Sequence, residues 1–329
     1  MTTWIGRRKF VTALGGAATC ALWPLAASAQ PAVRMRRLGI LTFARRERAT
    51  LGPFLQALEA LGYVEGKTIA IEYRDAGGED ELLPQAADEL VRLKPDVIMS
   101  FGGDPAPVIK KATATIPIVV VVSNDPVETG LVASLGRPGG NITGLTYVHD
   151  QLAGKAVELL KDTAPWVSRV AFLWNPNHPD PEFRETQRAS RTLEVQLQSL
   201  EVREPGDYVG AFQAALQGRA EALIVNGSRF MSLHRKLVGD FVAKHRLIMV
   251  GVPSFLREVG ALLTYGPNVP ELYRQAATYV DKILKGAKPS DLPMQQPIRF
   301  ELWANLKVAK ALGLTVPPTV IARADTVTE

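Results

Sequence analysis

The stretch Ile116–Tyr147, IPIVVVVSNDPVETGLVASLGRPGGNITGLTY, decides how the rest of the chain is read. Its β-branched run, Ile118–Val122, is too short to span a membrane and rich enough in valine to be a strand buried on both faces. A polar rim follows, Ser123-Asn124-Asp125-Pro126. Beyond the rim the pattern predicts a short helix that stops at Arg137-Pro138-Gly139-Gly140, and Asn141–Tyr147 reads as a return strand. Buried strand, polar rim, helix and second strand make the repeating unit of a doubly wound parallel sheet.

The same rhythm runs outward in both directions. Towards the N-terminus lie the apolar strand Leu38–Phe43 and a helix face of Leu51, Phe54, Leu55, Leu58 and Leu61 closed by Gly62. The alternating strand Ile69, Ile71, Tyr73, a helix through Leu83 and Leu90, and the buried strand Asp96–Ser100 come next. Towards the C-terminus, strands begin near 169, 195, 221, 247 and 261 with helical patterns between them. Five strands followed by five predict two similar Rossmann-like α/β lobes rather than one large sheet. The remainder is different. An amphipathic helix, Val269–Gly286, is followed by a proline-marked segment, a short strand at Arg299–Leu302, and a helix over Trp303–Leu312 capped by Gly313. Such a tail suits recrossing between lobes, so the expected division is 34–146 plus about 268–296 for the first lobe and 147–267 plus about 297–329 for the second, joined by a multi-crossing hinge.

The N-terminal end reads as a targeting segment. Arg7-Arg8-Lys9 precedes the apolar run Val11–Leu25, which ends in Ala27-Ser28-Ala29. This is the pattern of a cleaved secretory signal of twin-arginine type over residues 1–29, which predicts a periplasmic protein. The 329-residue chain carries 38 basic and 33 acidic residues, a net +5; removing three basic residues and no acid with the signal leaves +2. That balance leaves no basic footprint for nucleic acid. The only cysteine, Cys20, lies inside the signal, so the mature chain is expected to have no disulfide, thiolate-bound metal or cysteine nucleophile.

In open parallel sheets ligands sit beyond the carboxyl ends of the strands. The residues at those positions are Thr42, Ser100 to Asp104 with Gly102 and Gly103, Ser123, Asn124, Asp125 and Thr146 in the first lobe. In the second they are Trp174, Asn175, Asn226, Ser228, Ser254 and Tyr265. Hydroxyls, amides, glycines and aromatics are the vocabulary of small polar ligand recognition. Asp125 either pairs with a ligand ammonium or, with Ser123 or Asn124, caps the helix expected behind it. Asp104, before Pro105, is read as a helix N-cap. Ser100, Gly102 and Gly103 either wrap a ligand carboxylate or make a turn, and Trp174 either stacks on a ligand or shields the cleft.

Catalytic signals are weak. His149, His178, His234 and His245 show no metal-ligand spacing and are expected in surface or capping roles. No nucleophile elbow, Walker loop or strand-linked dinucleotide fingerprint occurs, and no base–nucleophile pair is evident. Neither metal nor cofactor is expected.

Three long runs carry a resemblance: Ala57–Gly66 (ALEALGYVEG); Thr115–Pro126 with Leu131–Gly144; and Tyr279–Pro318, including Ile283–Pro289 (ILKGAKP) and Lys310–Pro318 (KALGLTVPP). Through them the chain resembles the tryptophan/tyrosine-type substrate-binding proteins of ABC transporters. The resemblance implies a type I periplasmic binding protein fold, two lobes that close on a small-molecule ligand, delivery to a permease in the inner membrane, and an aromatic amino acid as the default ligand. A monomer is expected. The sequence departs from that family at the Phe101–Ala106 loop, at Asn226–Phe230, which lacks an acidic residue, and at Glu194, which stands at a usual glycine position. The leading expectation is therefore a non-catalytic solute-binding component that takes an amino acid or a related small carboxylate. An exported two-lobed enzyme of transferase type, and a binding protein serving a membrane sensor, are the alternatives. Turnover of a substrate would favour the first alternative and a neighbouring sensor-kinase gene the second.

Overall fold

The computed structural model describes residues 35–45, 48–147, 149–178 and 182–329. The signal-peptide reading of residues 1–29, with Cys20, lies outside the described residues. In the first half, β1 (Arg36–Thr42), α1 (Arg48–Ala60), β2 (Ile69–Asp75), α2 (Leu83–Arg92), β3 (Val97–Phe101), α3 (Pro105–Ala112), β4 (Ile118–Val122) and β5 (Ile142–Thr146) follow in order. Their strands form one parallel sheet, β2-β1-β3-β4-β5. All residues of β3, β4 and β5 are buried, as strands covered on both faces must be.

The second half runs α4 (His149–Thr163), β6 (Arg169–Trp174), α5 (Glu182–Thr192), β7 (Gln196–Glu201), α6 (Asp207–Gln217), β8 (Ala222–Val225), α7 (Arg229–Leu233), α8 (Arg235–His245), β9 (Ile248–Gly251) and β10 (Leu263–Pro267). After α9 (Val269–Leu284) come β11 (Phe300–Asn305), α10 (Leu306–Leu312), α11 (Pro318–Ile321) and β12 (Thr326–Thr328). The second sheet has the order β12-β11-β10-β9-β8-β6-β7 and is parallel except where β11 meets β10. The chain is thus a two-lobed α/β protein built on two largely parallel sheets. Each sheet is packed on both faces by its own apolar clusters.

Three chain crossings join the lobes: β5 to α4, β10 to α9, and the segment before β11. α9 returns to the first lobe, where Leu272, Ala276, Tyr279 and Val280 join the cluster that also holds Phe54, Phe101 and Val119. The segment after α9 runs along the free edge of β5: Gln295 N–H donates to the Gly144 carbonyl at 2.9 Å, and Thr146 N–H donates to the Gln295 carbonyl at 2.9 Å. Gly144 is required here. Its φ is +143°, and a Cβ would stand 2.0 Å from the Val120 carbonyl oxygen.

Two local expectations are corrected. No helix forms between β4 and β5; residues 126–130 are turn and 131–140 are bends and irregular backbone. Gly130 and Gly139 take left-handed φ of +67° and +81°, Pro126 and Pro138 interrupt the N–H ladder, and Leu131 and Val132 enter the core without a helix. Similarly, Trp303–Asn305 is strand rather than helix. Pairing with β10 outweighs the helical pattern, and the helix begins only at Leu306, where the Asn305 side chain accepts the Val308 N–H at 3.1 Å. The last strand, β12, has no counterpart in the sequence reading.

Candidate functional site

A cavity of about 460 Å³ lies between the carboxyl ends of the two sheets. The first lobe lines it with Gly102 and Gly103 after β3, Ser123 after β4 and Tyr147 after β5. The second supplies His178 after β6, Gly227-Ser228-Arg229 after β8, and Ser254, Phe255 and Glu258 after β9. The start of α9 adds Val269, Pro270 and Tyr273. The position follows from strand polarity: loops leaving parallel strands at one edge face each other across the cleft.

Two side chains of the second lobe reach over the first. His178 is buried, with Nε2 3.1 Å from Ser123 Oγ and Nδ1 2.7 Å from Asp104 Oδ1. Arg229 Nη2 donates to Tyr273 Oη at 2.7 Å, and Tyr273 in turn packs on Phe101 with ring centroids 4.6 Å apart. Both arms pass over glycine. A Cβ on Gly102, whose φ is +99°, would stand 3.1 Å from Arg229 Nε, and one on Gly103 would stand 3.1 Å from His178 Cε1. The Gly102-Gly103 pair therefore makes room for the opposite lobe, in addition to making a turn.

The charges are arranged to match. Burial alone would raise the Asp104 carboxyl, but the charge and hydrogen bond of His178, with Arg229 nearby, outweigh it and hold the group below the usual carboxylate range. Burial opposes the Arg229 charge, and Tyr273, Tyr147 and Asp104 around it restore it, so the guanidinium stays protonated.

Gly102, Gly103, Ser123, Ser228 and Ser254 line this cavity. Thr42 lines a smaller recess of about 50 Å³ that also reaches Arg229, and its hydroxyl donates to the Ala44 carbonyl at 2.7 Å. Ser100, Asn124, Asn175 and Asn226 are buried behind the rim. Asp125 lies outside the lining, its Oδ1 accepting the Val127 and Glu128 N–H groups at 2.7 and 3.2 Å. Trp174 also lies outside it, stacked on Phe183 at 4.9 Å and donating from Nε1 to Ser199 Oγ at 2.8 Å. Tyr265 packs towards Phe300 at the β10–β11 pair.

Three expectations change. His178 is neither a surface nor a capping residue: it stands between Ser123 and Asp104 because the β6 rim faces the β3 and β4 rims. The Asp104 side chain makes no cap hydrogen bond and turns to His178 instead. A hydroxyl–imidazole–carboxylate order is also present where no base–nucleophile pair was evident. Its members come from opposite lobes, so the contact joins the lobes. Arg229, Tyr147, Tyr273 and Phe255 were not singled out from sequence; Arg229 stood within the rim string Asn226–Phe230 without a feature marking which side chain would cross.

The family of ABC transporter substrate binding proteins matches residues 46–328. The chain belongs to this family. It is a solute-binding component of an ABC transporter and not an enzyme. The binding protein is 26% identical over 266 residues to a tyrosine-binding protein of Clostridioides difficile, covering 79% of this chain and 75% of that one. Among solved structures, a conserved domain protein of Vibrio cholerae superposes with a TM-score of 0.83 at 26% identity, covering 90% of this chain and all of the other. The ABC domain from Streptococcus pneumonia in complex with L-Trp gives 0.80 at 20% identity over 89% and 99% of the two chains, and shares the fold.

Proposed function

We propose that the binding protein is exported to the periplasm, captures a small carboxylate-bearing solute as a monomer, and hands it to the permease of an importer in the inner membrane. Amino acids, aromatic ones by likeness to the relatives above, and related carboxylic acids make up the solute class. The supporting observation is the pair of cross-cleft arms: Arg229 and His178 reach from one lobe to the other around a cavity of about 460 Å³. A volume of this order suits a small molecule. A ligand between the rims would stabilise the arrangement in which both arms are engaged, and only contacts made preferentially in that arrangement shift the equilibrium towards it. Native mass spectrometry of the purified mature chain, followed by thermal unfolding against a panel of amino acids and carboxylic acids, tests this reading. A retained or added member of the panel should raise Tm, by about 2.7 kcal/mol of stabilisation at a hundredfold excess over Kd. No retained molecule and no stabilisation by any member would contradict it.

A further inference from the structure

The cavity's charge balance narrows the ligand class. Among the described residues, the lining side chains that carry or can take a charge near neutral pH are His178, Arg229, Arg235 and Glu258. Glu258, the one carboxylate of that lining, is already paired with Arg235 Nε at 2.9 Å. Asp104 sits behind the lining and is engaged by His178. Asp125 is outside it and is occupied by backbone N–H groups. Arg229 is different: its hydrogen-bond partner is the neutral Tyr273 hydroxyl, and no described carboxylate forms an ion pair with its guanidinium. A partly buried guanidinium with a neutral partner favours an anion, and its planar fork suits a carboxylate.

An ammonium group would find the reverse. Among the described residues, Glu258 in the lining and Asp104 and Asp125 beside it already have a cationic or backbone partner, and two arginines share the wall. The remaining lining sets apolar surface from Pro53, Phe255, Val269 and the Tyr147 and Tyr273 rings beside the hydroxyls of Ser123, Ser228, Ser232 and Ser254. We infer that the ligand is a carboxylic acid with an apolar or aromatic body and no ammonium group, docked through its carboxylate on Arg229. This rests on the reading of the chain as a small-carboxylate-binding protein and departs from the amino acids of its relatives.

Titration calorimetry on the ligand-stripped mature protein, with matched pairs, tests it: 3-phenylpropionate against phenylalanine, indole-3-propionate against tryptophan, and phenethylamine as the ammonium-only control. The acids should bind at least tenfold more tightly than their amino-acid partners, a difference of about 1.4 kcal/mol, and the amine should not bind. Arg229→Gln should weaken the acid more than tenfold, with Arg229→Lys intermediate. Tyr273→Phe, which leaves the core ring in place, should weaken it less than about tenfold relative to wild type, and the Arg229→Lys affinity stays readable if the Gln variant folds poorly. Tighter binding of an amino acid or of the amine would overturn the inference while leaving the transport reading intact. So would equal acid affinity in Arg229→Gln. Failure of every acid and amino acid to bind would overturn both.

Discussion

The two rims of the cleft are built from opposite materials. The first lobe presents Gly102 and Gly103, the Ser123 hydroxyl and, just behind them, the Asp104 carboxylate. The second presents two long side chains: His178 ends on Ser123 and Asp104, and Arg229 passes over Gly102 to end on the Tyr273 hydroxyl of α9. One rim supplies space and acceptors, and the other supplies arms. Glycine therefore has two separate uses in the first lobe: Gly144 lets β5 approach β4, a demand of folding, while Gly102 and Gly103 let the Arg229 and His178 side chains of the other lobe approach.

The largest expected effect separates those uses. Gly144→Ala should destabilise folding by about 3 kcal/mol or more, since the backbone must move to relieve a 2.0 Å approach. Denaturant unfolding would read this directly. A change below about 1 kcal/mol would break the distinction.

Asp104→Asn comes next. It removes the acceptor charge of the first rim and should weaken ligand binding by about 2 kcal/mol with a smaller loss of folding stability. The pH dependence has a fixed sign. Because its carboxyl is held below the usual range by His178 and Arg229, its contribution is complete above about pH 4 and is lost as the pH falls through the lowered value. Asp80, whose own carboxyl is raised by burial and by Asp104, faces the same group. Affinity profiles of wild type and Asp104→Asn should diverge above that window and converge below it; parallel profiles would assign the loss to other groups.

Gly103→Ala should cost about 1 kcal/mol in ligand affinity and little in unfolding free energy, because the added carbon meets His178 Cε1 at 3.1 Å, with Asn124 Nδ2 and Ser123 Oγ at 3.2 Å. An equal loss in both would place Gly103 with Gly144. The smallest effect lies far from the rims. Glu194, in the turn between α5 and β7, has a φ of +55°, a conformation that glycine adopts without steric cost. Glu194→Gly should raise stability by up to about 1 kcal/mol and leave binding unchanged, read by Tm and calorimetry.

The strand pattern was legible because buried parallel strands write themselves as short β-branched runs, of which Ile118–Val122 is the plainest. The rim was legible in outline for the same reason: Ser123, Ser228 and Ser254 fall where parallel strands end. Which rim side chains cross the cleft was not. Arg229 and His178 earn their roles from residues more than 40 positions away in sequence, Tyr273 and Asp104, and no local pattern encodes that meeting. The turns after Asp125 and the strand through Trp303 were misread because tertiary contacts, rather than local periodicity, fix those backbones.

Small-angle scattering of the mature protein, with and without a carboxylic acid that binds it, tests the central claim most directly. Ligand should reduce the radius of gyration of the wild type, and Arg229→Gln should lose most of that compaction at ligand concentrations that saturate the wild type. Ligand binding without any change in radius, or identical compaction in Arg229→Gln at matched occupancy, would contradict closure through the cross-cleft arms.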